Sequence, residues 1–319
     1  MKKIPVCFIC DKAYIMPASV AITSMLVNRN EETFYHIFII GVDCSEEDFE
    51  LFSEFNTYRN VIIEYRFVNE EKYSQIKQVA HISRACLVKF EMSEIVTEYD
   101  KMLYIDDDVI IQGDLSDFYD IDLGDNLIAG PYELNAVVNS KALFIAGTFV
   151  VNSKLMRDEN AFERLLDFRI KRGNAPSMDG VTLNKVYGDR IIPADIKWGL
   201  PIEKLYYERK YYTLSELNEY YGTNYKSRRE MLDKAVILHY IGKEKPWKYN
   251  CFKGVKKWDY YYELSPYRKE VLHRKNIVDF LKDKYREGGL KSIYYLVKDK
   301  FLEWVGFIHR SKFNRAGWY

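Results

Sequence analysis

The chain lacks charge of either sign in excess. Lysine plus arginine and aspartate plus glutamate each number 47, so no global field argues for a nucleic-acid partner. Cysteine is scarce as well: five residues, an odd number at irregular spacing, exclude a disulfide framework and favour a reducing compartment. Cys7-x-x-Cys10 has the spacing of redox and zinc motifs. It lies inside the apolar run Ile4 to Cys10, however, where residues three apart face opposite sides of a strand, and the pair reads as core packing. Long hydrophobic runs are missing, and the longest apolar stretch, Leu143 to Val151, is too short to span a bilayer. Lys2 and Lys3 resemble the start of a secretory leader, but Asp11 and Lys12 end the apolar run early and no small-residue cleavage site follows. Repeats and low-complexity linkers are absent too. A cytoplasmic protein is expected.

The 319 residues suffice for one large α/β domain with a smaller appendage. The balanced charge conceals an asymmetry: from Arg268 to the end there are 13 basic and 6 acidic side chains, so a tail of net +7 follows a body of −7. The first third alternates between strand and helix patterns. Strands are expected at Val6 to Cys10, Phe34 to Ile40, Val61 to Val68 and Met102 to Ile105. Between them, Pro17 opens a helix through Leu26, Ser45-x-x-Asp48 caps another with Phe49, Phe52 and Phe55 inward, and Ser83 to Val96 forms a third. This order implies parallel pairing in a doubly wound sheet, whose ligands bind at the carboxyl ends of strands. Asp11 and Asp106 to Asp108 then share a rim. Further strands are expected at Leu127 to Gly130, Phe144 to Val151 and Val236 to Tyr240, and helices at Ala161 to Lys171 and Val181 to Tyr187. Tyr206 to Tyr225 shows no clear period, and from Tyr267 the chain reads as helical and basic, broken at Gly288-Gly289.

Two stretches carry chemistry. Asp106, Asp107 and Asp108 are three like charges at a strand end, which repel unless water or a cation screens them. Alternation along extended chain lets Asp106 and Asp108 point the same way. A solvated acidic turn and a metal site explain the triplet equally well. The second stretch, His239-Tyr240-Ile241-Gly242-Lys243-Glu244-Lys245-Pro246-Trp247, joins an imidazole to a glycine that admits an anion and a lysine able to meet phosphate. An imidazole with two carboxylates suits manganese. A nucleoside diphosphate bridged by the cation to Asp106 and Asp108, with Lys245 opposite, would neutralise the repulsion.

The pair Tyr104-Ile105-Asp106-x-Asp108 and His239-Tyr240-x-Gly242-x-x-Lys245-Pro246-Trp247, about 130 residues apart, resembles glycosyltransferase family 8 over roughly residues 4 to 265. The resemblance implies a GT-A fold over residues 1–266, followed by a basic helical tail over 267–319. It also implies a UDP-sugar donor, manganese with magnesium as the alternative, and retention of anomeric configuration. Asp106, Asp108 and His239 would be the metal ligands, and Gly242 and Lys245 would hold the diphosphate. Asp11 would accept from uracil and Tyr14 would stack on it, although an N-cap acid and a core aromatic describe these two equally well. Asp107 is left for ribose or a supporting contact. Lys89 would touch sugar or phosphate, its default being an exposed helical lysine. Glu133 occupies a sugar-contacting position, and Asp179 matches the first residue of the family's Asp-Gln-Asp segment.

Three departures accompany the match: Ala13, Ile145 and Gly180 replace two asparagines and a glutamine. Each loses a hydrogen bond, at about 1 to 3 kcal/mol for a buried partner left unpaired. The expectation is that metal and diphosphate binding persist while the sugar pocket is remodelled. Gly180 leaves no side chain to reach the anomeric carbon, which favours front-side attack, with Asp179 orienting the acceptor or acting as nucleophile. A nucleotide-sugar-binding protein with little transfer, or a metal-dependent phosphohydrolase, would also fit. In the tail, Ile293, Val297, Phe301, Trp304, Val305 and Ile308 form an apolar stripe among basic residues. Such a stripe docks on the body or, with Trp318 beyond it, lies on anionic lipid at the inner face of the cytoplasmic membrane. The acceptor would be a glycan or a lipid-linked glycan.

Overall fold

The computed structural model describes residues 2–76, 83–134, 142–172, 179–202, 213–251 and 254–304. Strand β1 (Lys2–Asp11) is buried on both faces, as its near-continuous apolar sequence requires. It pairs in parallel with β2 (Thr33–Val42) on one side and with β4 (Lys101–Ile105) on the other. β3 (Val61–Val68) extends β2, also in parallel. Beyond β4 the sheet becomes mixed, because β8 (Thr148–Asn152) runs antiparallel to β4, and β6 (Ile128–Leu134) antiparallel to β8. β7 (Ala142–Phe144) and β9 (Ile191–Ala194) both pair with β6, completing eight strands in the order β3-β2-β1-β4-β8-β6-β7, with β9 off that path. The parallel pairing expected from the first third holds for its four strands, and the sheet turns antiparallel beyond them.

The two faces of this sheet bury different clusters, and β1 alternates between them. Cys7 and Ile9 join Leu87, Val88, Phe90 and Leu165 on one face. Val6, Phe8 and Cys10 join Ile22, Met25, Phe49, Phe52 and Phe55 on the other. Cys7 and Cys10 are thus free thiols buried on opposite sides, as the strand period predicts. The second cluster is roofed by helix α1 (Ile15–Asn28), with Pro17 in its first turn. It is closed by a kinked 3-10 run, Glu46–Thr57, that opens on the Ser45–Asp48 capping box.

Several expected elements differ in kind. Ser83 to Val96 is a 3-10 run (Arg84–Phe90) followed by one helical turn (Met92–Ile95), because its buried side chains pack against the sheet and leave no continuous helical stripe. Phe144 to Val151 is two strands, split at Ala146-Gly147. Residues 203–212 lie outside the described residues, but Thr213 and Glu216 form a capping box that starts a helix at Leu214–Tyr221. The tail helix spans Ile277–Trp304, with non-helical backbone at Gly288 and Gly289 where the break was expected. Val305 and Ile308 of the apolar stripe, and Trp318 beyond it, lie outside the described residues.

A second, small sheet positions half of the site. β5 (Val109–Ile111) follows directly on the acidic triplet and pairs antiparallel with β11 (Ile237–His239), which pairs with β10 (Leu200–Pro201). This brings His239 opposite Val109. The free edge of β5 is satisfied by α1 side chains: the Ile111 amide donates to Ser24 Oγ at 2.8 Å, and Asn28 Nδ2 donates to Ile111 O at 2.9 Å and to Tyr261 Oη at 2.8 Å. Replacing Asn28→Ala leaves a fully buried carbonyl unpaired and is expected to lower stability by about 1 to 3 kcal/mol. Urea denaturation checks this, and a variant as stable as the parent would refute the bracing role.

Candidate active site

The site forms where β4 ends and the small sheet begins. The Asp106 amide donates to Gly147 O at 2.7 Å and the Tyr240 amide to Asp108 O at 2.9 Å, so the backbone of the triplet is fixed at both ends. The triplet bends between β4 and β5 rather than continuing as extended chain, and the bend brings Asp106 and Asp108 to His239. His239 Nε2 lies 2.9 Å from Asp108 Oδ1 and 3.6 Å from Asp106 Oδ2. One ligand atom from each of the three falls within 4.8 Å of the others.

Two lysines compensate the acids. Lys245 Nζ donates to Asp108 Oδ2 at 2.5 Å and to Tyr240 O at 2.6 Å. Lys89 Nζ sits 2.9 Å from Asp106 Oδ1, donates to Ala146 O at 3.1 Å, and forms a close ion pair with Asp179. Its ammonium also lies 4.9 Å from the centre of the Tyr104 ring, whose hydroxyl donates to Asp106 Oδ1 at 2.6 Å. Lys89 is buried, contrary to the exposed default, because the 3-10 run turns it inward to the end of β4.

The three neighbouring carboxyls are driven apart electrostatically. Burial pushes Asp108 up, but Lys245 and His239 outweigh it and hold the carboxyl well below the usual carboxylate range. Burial raises Asp106, with Lys89 opposing and Asp108 adding. Asp107 is raised well above the ordinary range by burial and by Asp106, Asp108 and Asp11, against which Lys89 is the weaker influence. Its Oδ1 is buried and has no hydrogen-bond partner among the described residues. Burial also opposes the His239 imidazolium, yet Asp108 keeps its pKa above the ordinary value.

The donor set, two carboxylates and an imidazole, suits a borderline-hard divalent ion. The surroundings fit one too. A Cβ on Gly147 would lie 2.1 Å from His239 Cε1 and 2.9 Å from Asp106 Oδ2, so only glycine permits the three ligands to meet. Gly147 is a site residue that the sequence patterns do not single out, although it stands two positions after Ile145.

A cavity of about 310 Å³ opens from the triplet, the lower end of the size range of small-molecule sites. Asp11 and Tyr14 line it together with Lys89, Asp106 to Asp108, Asp179, His239 and Lys245. Asp11 Oδ1 accepts from the Ala13 amide at 3.0 Å in the turn that leads into α1, while the N-cap position itself belongs to Tyr14. The Tyr14 ring meets Trp247 edge-on at 5.6 Å, and burial raises its hydroxyl pKa. Asp107 also lines the cavity rather than turning away from it. Ile145 and Gly180 both face this space, and a Cβ on Gly180 would only touch Ala146 at 3.7 Å. Gly242 lies on the loop after β11 and is not among the cavity-lining residues. Glu133 is on β6 opposite Leu143, and its side chain lies outside those described.

Comparison with known proteins accords with this geometry. GlyF of Streptococcus pneumoniae serotype 4, a glycosyltransferase, is 24% identical over 238 residues, covering 74% of this chain and 55% of its own length. The chain thus spans about half of that relative. A lipopolysaccharide 1,2-glucosyltransferase of Escherichia coli is 23% identical over 320 residues, covering 92% of this chain and 86% of its own. Among solved structures, the galactosyltransferase LgtC with donor and acceptor sugar analogues superposes with a TM-score of 0.69 at 20% identity, over 82% of this chain and 96% of that one. That likeness shows the GT-A fold. The family model for glycosyl transferase family 8 matches residues 5–251, from β1 through the Lys245 loop, and the chain belongs to that family.

Proposed function

We propose that the chain transfers a hexose, glucose or galactose, from a UDP-sugar to a glycan or lipid-linked glycan acceptor in surface polysaccharide synthesis, in the cytoplasm. The observation that carries the reading is the Asp106, Asp108 and His239 group with Lys245 Nζ 2.5 Å from Asp108. Asp106, Asp108 and His239 would hold Mn2+ or Mg2+, which when bound neutralises diphosphate oxygens and stabilises a departing UDP. Lys245 is paired with a carboxylate of the same group and is the cation closest to hand for the diphosphate. Gly242, with no Cβ, lets the loop backbone approach the same anion. Asp11 and Tyr14, at the β1 end of the cavity, take the uracil. Asp107, which lines the cavity, is assigned to a ribose hydroxyl. Glu133 is assigned to the donor sugar.

For retention, front-side attack is the reading supported by the chain's own residues. Gly180 carries no nucleophile, and the Asp179 carboxylate is already bound to Lys89, which weakens it as an attacking group. Asp179 then orients the acceptor, and Lys89 holds Asp179 against Asp106. A second reading, a nucleotide-sugar-binding protein with little transfer, is favoured by Ile145 and Gly180, which bring no polar side chain to the cavity. We assign residues 1–266 to the transfer unit and 267–319 to a tail that contacts the membrane peripherally. No helix among the described residues is long and apolar enough to cross a membrane. In the tail, Leu290, Tyr294 and Val297 are exposed at helical spacing.

Four measurements test this. UDP release with Mn2+ should be abolished by Asp108→Asn, and Gly147→Ala should weaken Mn2+ binding by about tenfold or more in calorimetry, through its clash with His239. A Gly147→Ala protein that binds Mn2+ normally would remove the metal assignment. In a donor panel, the apolar Ile145 and the bare Gly180 predict unequal use of UDP-glucose and UDP-galactose, and full turnover of both would contradict the remodelled sugar pocket. Truncation after Gly289 should release the folded enzyme from vesicles containing anionic lipid, and retention on them would refute the membrane contact.

A further inference from the structure

The loop that carries Gly242 and Lys245 is fastened from outside the family-matched region, which ends at residue 251. Lys243 Nζ pairs with Glu287 at 2.5 Å. Lys284 forms a close ion pair with Glu244, the residue next to Lys245. One turn away, Asp283 accepts from Tyr249 Oη at 3.0 Å and from Lys275 Nζ at 2.7 Å, and the Tyr249 ring meets Phe280 edge-on at 5.5 Å. Backbone bonds add to these: Lys275 N donates to Lys248 O at 2.9 Å and Asn250 N to Lys275 O at 3.1 Å. The loop itself is a turn in which Lys245 O accepts from the Lys248 and Tyr249 amides.

We infer that Lys284 and Glu287, on the part of the tail helix before Gly288-Gly289, are positioning residues that hold the Gly242 to Lys245 loop in the conformation that presents Lys245 to the site. The inference rests on the reading that Lys245 meets a diphosphate. An isolated exposed ion pair would do little, because solvent screens it and ordering two long side chains is costly. Here the central lysine is only 18% exposed and the pairs act together with the backbone bridge and Tyr249. Gly242 adds backbone freedom just where the loop leaves β11, so its course depends on what holds it at the far side. Neither lysine of the pair touches the cavity, since Lys243 and Lys284 are not among its lining residues. Their effect on a ligand therefore passes through the loop.

The test compares the full chain with Lys284→Glu, the milder Lys284→Met, and the exchanged pair Lys284→Glu with Glu244→Lys. Amide hydrogen exchange of the Ile241 to Lys248 segment and titration with UDP and Mn2+ are both read. Each single variant should exchange about three- to fivefold faster in that segment and bind UDP about three- to fivefold more weakly, at an unchanged thermal midpoint, as a partly shielded ion-pair network allows. The exchanged pair should restore both. Unchanged exchange in a folded single variant, or faster exchange with unaltered UDP affinity, overturns the inference. If the parent chain binds no UDP, the diphosphate reading fails, and with it the positioning role, whereas the exchange data still report whether the helix holds the loop.

Discussion

Three consecutive carboxylates at the buried end of β4 repel one another, and the arrangement of the surrounding chain answers that repulsion. Their compensating groups come from three separate places: Lys89 from the run before β4, His239 from the end of β11, and Lys245 from the loop beyond it. His239 and Lys245 reach the triplet because β11 pairs antiparallel with β5, whereas Lys89 comes from the other side, beside β4. Charge alone does not make the acids equivalent. Asp108 gains two partners that hold its carboxyl low, Asp106 is contested between a lysine and its neighbours, and Asp107 is raised by burial and by the acids around it.

The same constraint explains why a glycine matters more than a charge at one point. Gly147 ends the gap between β7 and β8, and its missing Cβ is what lets His239 lie beside Asp106. The lysines, in turn, hold places that a divalent ion and a diphosphate would contest. A group built this way has an electrostatic use for a cation and an anion together, which neither ligand alone would satisfy. Ile145, Ala146 and Gly180, by contrast, bring no polar side chain to the cavity.

How much of this the sequence discloses depends on the range of the interaction involved. The strands of the first third, the capping box at Ser45 and the break at Gly288-Gly289 are local patterns and are legible in the chain. The meeting of Asp106, Asp108 and His239 is legible as well, because an acidic triplet at a strand end and a recognisable loop mark them. The burial of Lys89 is not, since a 3-10 run gains its geometry from packing against the sheet rather than from its own periodicity. The antiparallel turn of the sheet after β4 is hidden for the same reason: pairing partners distant in sequence leave no local trace. Thr213 and Glu216 show the opposite case, a helix start present in the sequence and obscured by the tyrosines around it. The grip of the tail helix on the Lys245 loop is visible only in three dimensions, because its members are spread from Lys243 to Glu287.

The most direct test of the proposed cation and diphosphate clamp is calorimetric titration of the full chain with UDP, with Mn2+ present and after its removal by chelator. The account predicts that UDP binds with Mn2+, and that affinity falls by about tenfold or more without it, since the diphosphate would then face Asp106 and Asp108 unscreened. UDP binding of equal strength in both conditions would contradict it.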